Sequence, residues 1–555
     1  MSPEEFEDLL ARQDTLNAIG TALSSERDID VLLERILEAA RELVDADGGT
    51  LYLVKDDALV FQVLRNDSLG YSAGGRHGEP VAFPPLPLHL PDGRGNDTMV
   101  AAVAALSGRT INIEDAYAAE GFDFSGTRRI DASTGYRSQS FLTVPMKDHD
   151  GLVVGILQLI NARAPEGAIR AFSLADQQLV ESLASQAAIA LNHRRLIDQL
   201  EALLESLINV INAAIDEKSP YTGEHCERVP VLTMLLAEAA ARSTHGPLAG
   251  FAMSDADRYE LKIASLLHDC GKIVTPVHVI DKATKLQTLF DRVALVDTRF
   301  EVLLRDAEIA RLRGEIDDTQ HAAQVERLLA DRECVRRNNC GSESMAETEV
   351  MELQRIAAGL WHPHGREPEP FLSANELEAL TIRKGTLTRA EREIINRHIV
   401  VTIRMLESLP WPPHLARVPE YAGGHHERMD GKGYPKGLIR EQMSVPARIM
   451  GIADIFEALT APDRPYKTAK PLSETLAILG RMKEKQHIDP ALFEVFLRER
   501  VYLDYAQRFL DPVLIDGIAF TPKPFSASFA LSRFGPVPAM TSLIAVSIAV
   551  RSSSV

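Results

Sequence analysis

Cysteine is scarce, four residues in 555, so the chain has no disulfide framework. Cys334 and Cys340 lack a second pair and make a poor zinc site; reduced thiols are the simpler reading. No run reaches the ~18 to 20 apolar residues that a membrane helix needs. The acidic stretch Met1 to Gln13 lacks a basic segment followed by an apolar core, so no secretory signal is expected and a cytoplasmic protein follows. Basic residues are outnumbered 60 to 79, for a net charge of −19, and this argues against a general binder of nucleic-acid polymers. An anionic ligand would have to find its positive charge within the site, and bound metal cations are usually the largest local charges.

What is present is a chain long enough for two or three domains, with 45% apolar residues to fill their cores. The stretch that carries chemistry is His425-His426-Glu427-Arg428-Met429-Asp430-Gly431-Lys432-Gly433-Tyr434-Pro435. It has almost no aliphatic side chain to bury, and adjacent imidazoles can serve one metal ion or two neighbouring ones. Its partners lie elsewhere. His268-Asp269-Cys270-Gly271-Lys272 ends a helical apolar pattern and sets a carboxylate beside an imidazole, while Asp454 interrupts the apolar segment Ile452 to Phe456. His225 and His398 are single histidines, each more often a core residue than a ligand when taken alone.

From about 205 to 515 this series resembles the HD-GYP family of bacterial cyclic dinucleotide phosphodiesterases, a branch of the HD metal-dependent phosphohydrolases. The likeness rests on the HD-x-G-K box (His268, Asp269, Gly271, Lys272), on His398, and on the HHE-x-x-DG-x-GYP signature from His425 to Pro435. Asp454, Ala458-Leu459-Thr460 and Arg464-Pro465-Tyr466 complete it.

Ahead of this region, residues 1 to 172 read as α+β. An amphipathic helix (Ile19 to Ala39) precedes two strand pairs, Thr50 to Val54 with Leu59 to Leu64, and Ser140 to Met146 with Leu152 to Leu159. The segment resembles a GAF domain, an antiparallel sensor sheet with helices, and is most similar to the cyclic-nucleotide-binding type. Its expected Asn-Lys and Phe-x-x-x-Asp-Glu elements appear as Asn161-Ala162 and Phe172 to Asp176-Gln177, without the Lys and the Glu. A small molecule or cyclic nucleotide is the ligand this resemblance implies; a ligand-free dimer scaffold is the alternative.

Residues 173 to 215 are expected to form a connecting helix. Leu196, Leu200, Leu203, Leu207, Val210 and Ala214 alternate in steps of four and three, the seam of a parallel homodimeric coiled coil. The catalytic part, all-α over 216 to 515, opens with Asp216 to His225, where Pro220 interrupts the helix. The 130 positions from His268 to His398 exceed what the family uses, so about 284 to 378 reads as a helical insertion, with His362 and His364 on its surface. Residues 516 to 555 are expected to be poorly ordered.

The resemblance implies metal ligation by His225, His268, Asp269, His398, His425, His426 and Asp454, with Asp269 as the bridge between ions. Two or three divalent ions are expected, iron or manganese from the imidazole and oxygen donors. Glu217, eight residues before His225, is the candidate ligand of a third ion, with Glu224 as runner-up. Asp269 and Lys272 are the catalytic candidates. Lys272, Gly433, Tyr434, Pro435, Arg464 and Lys467 are the candidates for holding substrate. The substrate implied is cyclic di-GMP, opened to pGpG with onward cleavage to GMP left open. A phosphodiesterase for another cyclic dinucleotide, or a catalytically weak binding module, is the alternative.

Overall fold

The computed structural model describes residues 16–516, apart from 24, 27, 77, 219–222, 245, 343, 363–366, 462–468 and the side chain of Glu224. Arg464, Lys467 and His364 therefore lie outside the described residues, as does the expectation for the tail beyond Asp516. The chain divides into two compact units, Met1–Ser206 and Leu207–Val555.

In the first unit, helix α1 (Ile29–Val44) starts where the Asp28 carboxylate accepts the N–H groups of Asp30 and Val31, and stops at Asp45 in the left-handed region. Strands β1 (Ala46–Lys55) and β2 (Ala58–Asn66) form a hairpin whose turn residues Asp56 and Asp57 both have positive φ, as a tight two-residue turn requires. After β3 (Tyr71–Gly74) and β4 (Leu86–Pro87) come α2 (Val100–Ser107), β5 (Ile111–Ile113) and α3 (Ser125–Thr134). Strands β6 (Phe141–Lys147), β7 (Val153–Arg163) and β8 (Ile169–Arg170) complete an antiparallel sheet of order β3-β2-β1-β7-β6-β5, with β4 on β2 and β8 on β7. Ile36, Leu37 and Ala40 of α1 pack with Val180, Leu183 and Ala187 over one sheet face, against Leu51, Leu142, Leu157 and Leu159. Both strand pairs expected from the sequence are present, and β1 starts four residues earlier than expected because its Gly48 and Gly49 hide a strand in a turn-like composition.

Asn161 takes φ +58 and is fully buried. Its Oδ1 accepts the N–H groups of Gln139 and Ser140, and its Nδ2 donates to Arg137 O and Tyr136 Oη, so it pins the loop before β6 to the sheet. Arg170 Nη1 lies 2.5 Å from Asp176 Oδ2.

Helix α4 runs without a break from Leu174 to Lys218. Leu196, Leu200, Leu203, Leu207 and Val210, the expected seam, are all exposed. In the second unit follow α5 (Gly223–Ala241), α6 (Asp255–Leu267), a 3-10 turn at Cys270–Val274 and α7 (Val277–Ile280). The expected insertion holds α8 (Val293–Leu312), α9 (Asp318–Asn339) and α10 (Glu347–Ala357), then the short pair β9 (Leu360–Trp361) and β10 (Glu369–Pro370), then α11 (Ala374–Leu380). It has its own core around Leu286, Phe300, Val335, Leu353 and Phe371, and Lys282 Nζ ties its base to both oxygens of Glu391 at 2.8 Å. The remaining helices are α12 (Arg389–Glu407), α13 (Val418–Gly423), α14 (Val445–Thr460), α15 (Leu472–Glu484), α16 (Pro490–Arg498) and α17 (Val501–Phe509). Among the described residues no helix is long and apolar enough to cross a membrane.

Two close approaches seat α12 on the turn after His268-Asp269. Gly271 donates its N–H to Thr402 Oγ1 at 2.9 Å, and a Cβ at Gly271 would stand 2.1 Å from His398 O. Gly271→Ala is expected to cost about 1–3 kcal/mol by forcing α12 away. A denaturant titration with an unchanged midpoint would show that α12 yields freely at this contact.

Candidate metal centre

Three of the candidate imidazoles are oriented by one local device. His268 Nδ1 lies 2.8 Å from Ser265 O, His398 Nδ1 lies 2.6 Å from Ile395 O, and His425 Nδ1 lies 2.7 Å from Ala422 O. A carbonyl only accepts, so each Nδ1 carries the proton and each Nε2 presents a bare lone pair. Ser265 and Ala422 belong to the last turns of α6 and α13, where carbonyls have no partner within the helix.

His225, on α5, is oriented differently. Its Nδ1 meets the fully buried Glu457 carboxylate, whose other oxygen accepts from Arg228 Nε at 2.8 Å. Sequence reasoning did not single out Glu457 or Arg228. The available signals were a glutamate one turn beyond Asp454 in an apolar helix and an arginine one turn beyond His225.

The bare nitrogens converge on Asp269. His225 Nε2 and His268 Nε2 lie 3.2 and 3.3 Å from its Oδ2, and His398 Nε2 lies 3.2 Å from its Oδ1. On the first side His225 Nε2 also stands 3.3 Å from both Asp454 Oδ1 and His268 Nε2. On the second side His398 Nε2 and His426 Nε2 are 3.2 Å apart, and the His425 and His426 rings lie 4.1 Å apart between centroids. His225, His268 and Asp454 thus form one group of donors within 4.8 Å of one another; His398, His425 and His426 form another; His268, Asp269 and His425 form a third between them.

The donors fit divalent cations. His425 Nε2 and Asp269 Oδ1 are buried with no hydrogen-bond partner among the described residues. Facing lone pairs about 3 Å apart repel unless a cation lies between them, and bonds of about 2.1 Å at right angles set neighbouring donors about 3 Å apart. Burial, reinforced by His426 and His268, holds His425 far below the ordinary imidazole range, and burial holds His426 down to about 4, so both are neutral as ligation requires. At His225 burial is outweighed by the Glu457, Asp269 and Asp454 carboxylates, which push it up to about 10, so a cation would have to displace its Nε2 proton. Burial opposes charge on Asp269 and Asp454, but Lys272 with the imidazoles at Asp269, and the imidazoles at Asp454, outweigh it and keep both carboxyls well below the usual carboxylate range.

Lys272 reaches from the 3-10 turn to place Nζ 2.5 Å from Asp269 Oδ2. Tyr434 stacks on His426 at 4.8 Å and 25°. The loop carrying Tyr434 and Pro435 is held by buried Glu427, which accepts the N–H groups of Lys436 and Leu438 at 2.7 and 2.9 Å. At Gly433 a Cβ would lie 2.4 Å from Glu427 Cα, so only glycine fits there.

Glu217 is not brought to this centre. It is exposed on α4 and belongs to none of the three groups, because α4 continues in regular helical form through Lys218 and carries its side chain outward. Its neighbour Asp216 is the half-buried carboxylate, pushed up to about 6 by burial and by Glu227.

Residues 28–191 match the GAF domain family and residues 326–492 match the HD domain family. The second match takes in His398, His425, His426 and Asp454; His225, His268 and Asp269 precede it. Over 295 residues the chain is 28% identical to a Vibrio cholerae protein named 3'3'-cGAMP-specific phosphodiesterase 3, covering 53% of this chain and 38% of that protein. It is 31% identical over 204 residues to a Thermotoga maritima protein named cyclic di-GMP phosphodiesterase, covering 36% of this chain and 50% of that one. A Pseudomonas aeruginosa protein named cyclic di-GMP phosphodiesterase is 37% identical over 144 residues, covering 25% and 31%. The chain spans half or less of the length of these relatives.

Because Glu457 fixes the His225 ring, Glu457→Gln is expected to weaken Mn²⁺ binding about 10- to 100-fold while the circular dichroism spectrum stays that of the parent. Metal titration within twofold of the parent would mean that Glu457 only packs against His225.

Proposed function

We propose that this chain, a GAF domain joined to an HD domain, is a cytoplasmic metal-dependent phosphodiesterase that opens cyclic di-GMP to linear pGpG. The observation that carries the proposal is the pair of donor groups sharing Asp269. His225, His268 and Asp454 would hold one cation, His398, His425 and His426 the other, and Asp269 would serve both. The donor set is imidazole and carboxylate without thiolate, which suits iron or manganese. Two such ions, when bound, supply a water of lowered pKa and neutralise charge on the phosphate oxygens.

The chain's own side chains do the rest. The Lys272 ammonium, at the edge of the donor cluster, is positioned to hold a non-bridging phosphate oxygen or to protonate the departing alkoxide. Tyr434, stacked on His426 and carried on a loop that Gly433 lets close tightly, offers an aromatic face to a nucleobase, with Pro435 behind it. Arg464 and Lys467 would take the second phosphate. The GAF domain would bind a small molecule, and the exposed leucine stripe on α4 would pair with that of a second copy. A 3'3'-cGAMP phosphodiesterase is the second reading, favoured by the names of two relatives. A silent binding module has less support, because all seven ligand positions are filled by competent side chains.

The test is purified protein loaded with iron or manganese, incubated separately with cyclic di-GMP and with 3'3'-cGAMP, with products resolved by chromatography. Conversion of cyclic di-GMP to pGpG is expected, and inertness toward both substrates would refute the activity. Asp269→Ala is expected to abolish turnover and lower metal content with the fold retained; near-parental activity would mean that the bridge is misassigned.

Removing residues 1–172 is expected to leave basal activity but to change its rate by roughly 5- to 150-fold, the usual scale of allosteric coupling. Equal rates for truncated and full-length protein, with and without cyclic nucleotides, would reduce the GAF domain to a tether.

A further inference from the structure

The last turns of α4 touch the His268-Asp269 segment at both of its ends. Asn212 Nδ2 donates to Leu266 O at 3.1 Å, two residues before His268. Lys218 Nζ donates to Ile273 O and, at 3.4 Å, to Lys272 O, three residues beyond Asp269. Leu266 lies in the final turn of α6 and Ile273 near the end of the 3-10 turn, where carbonyls run out of helical N–H groups, whereas Lys272 O already accepts the Thr275 N–H at 3.0 Å and Lys218 adds a second, longer bond there.

The same turns of α4 have two faces. Ile208, Asn212 and Ile215 are buried, whereas Leu207, Val210 and Ala214, offset by one or two residues, are exposed. Burying Asn212 carries a cost, for its Oδ1 is buried without a partner among the described residues, and an apolar residue there would avoid it. A buried asparagine on a helix is a known way to fix register at the expense of stability. Asn212 and Lys218 stand six residues apart, about 9 Å along the axis, and a slip of one turn, about 5.4 Å, would undo both bonds.

We infer that Asn212 and Lys218 are positioning residues that fix the axial register of α4 against the His268-Asp269 segment, and so set the donor geometry of the metal centre. Neither touches the donor atoms; both act through the backbone that carries His268, Asp269 and Lys272. The helix that begins at Leu174 thereby ends against the backbone on either side of His268 and Asp269. A rotation or slip of α4 would reach the centre through two hydrogen bonds.

The inference rests on the metal-centred reading of the site, and its test separates the two. In the full-length protein, Mn²⁺ binding is followed by the electron paramagnetic resonance of the free ion, with cyclic di-GMP turnover measured in parallel. The variants are Asn212→Leu, Lys218→Met and Lys218→Arg. Asn212→Leu and Lys218→Met are expected to keep a parental melting temperature, to bind Mn²⁺ about 10-fold more weakly, and to lose a similar factor in kcat with KM little changed. Lys218→Arg, which can still donate to both carbonyls, is expected to restore binding. Parental Mn²⁺ affinity in both Asn212→Leu and Lys218→Met overturns the inference, as does a Lys218→Arg protein no better than Lys218→Met. Should Asn212→Leu fail to fold, the two Lys218 variants decide. A parent that binds Mn²⁺ but leaves cyclic di-GMP intact refutes the substrate, and the Mn²⁺ arm still judges the register.

Discussion

The second unit is built around the crowding of unprotonated imidazole nitrogens and carboxylate oxygens about Asp269. Brought this close, the donors repel one another, and a protein fold holds them only if each is fixed from behind and a cation is available in front. The fixing is visible at every histidine with a described Nδ1 partner. Backbone carbonyls hold His268, His398 and His425, and the Glu457–Arg228 pair holds His225. The packing of α12 on the turn after Asp269, tight enough to require Gly271, follows from the same demand, since His398 must reach the far oxygen of one small carboxylate.

This arrangement also answers the charge problem set by an acidic chain and the anionic substrate proposed for it. With a net charge of −19 the surface as a whole does not attract a cyclic dinucleotide. Positive charge is concentrated where two cations would sit and at Lys272, a few ångströms away, so the field is local and screening by salt acts weakly on it. Specificity would then come from the loop at Tyr434, whose closure depends on Glu427 and Gly433 and not on a metal donor.

In the first unit, polar side chains keep the fold's elements in place where the familiar motif is altered. Arg170 pairs with Asp176, and Asn161 keeps its place as a fully satisfied buried amide. Helix α4 then carries two kinds of pattern at once. Its leucine stripe is exposed, while Asn212 and Lys218 engage the segment that bears Asp269.

The sequence by itself determined the order of domains, the paired strands of the sheet, the leucine stripe and the seven side chains proposed as metal donors, because each rests on a local pattern or a short motif. The strand alternation survives in β1, β2, β6 and β7, and the His-Asp and His-His pairs are adjacent in the chain. Tertiary structure alone decided the rest. Which donors share an ion depends on how α5, α6, α12, α13 and α14 meet, and no spacing in the sequence encodes a distance between His225 and Asp454. Glu217 illustrates the limit: eight residues before His225 it looked suited to a third ion, but the uninterrupted α4 turns it outward and leaves Asp216 half-buried instead. Glu457 and Arg228 were legible only as charges in apolar company, since their purpose, orienting His225 from behind, exists only once α5 and α14 lie side by side.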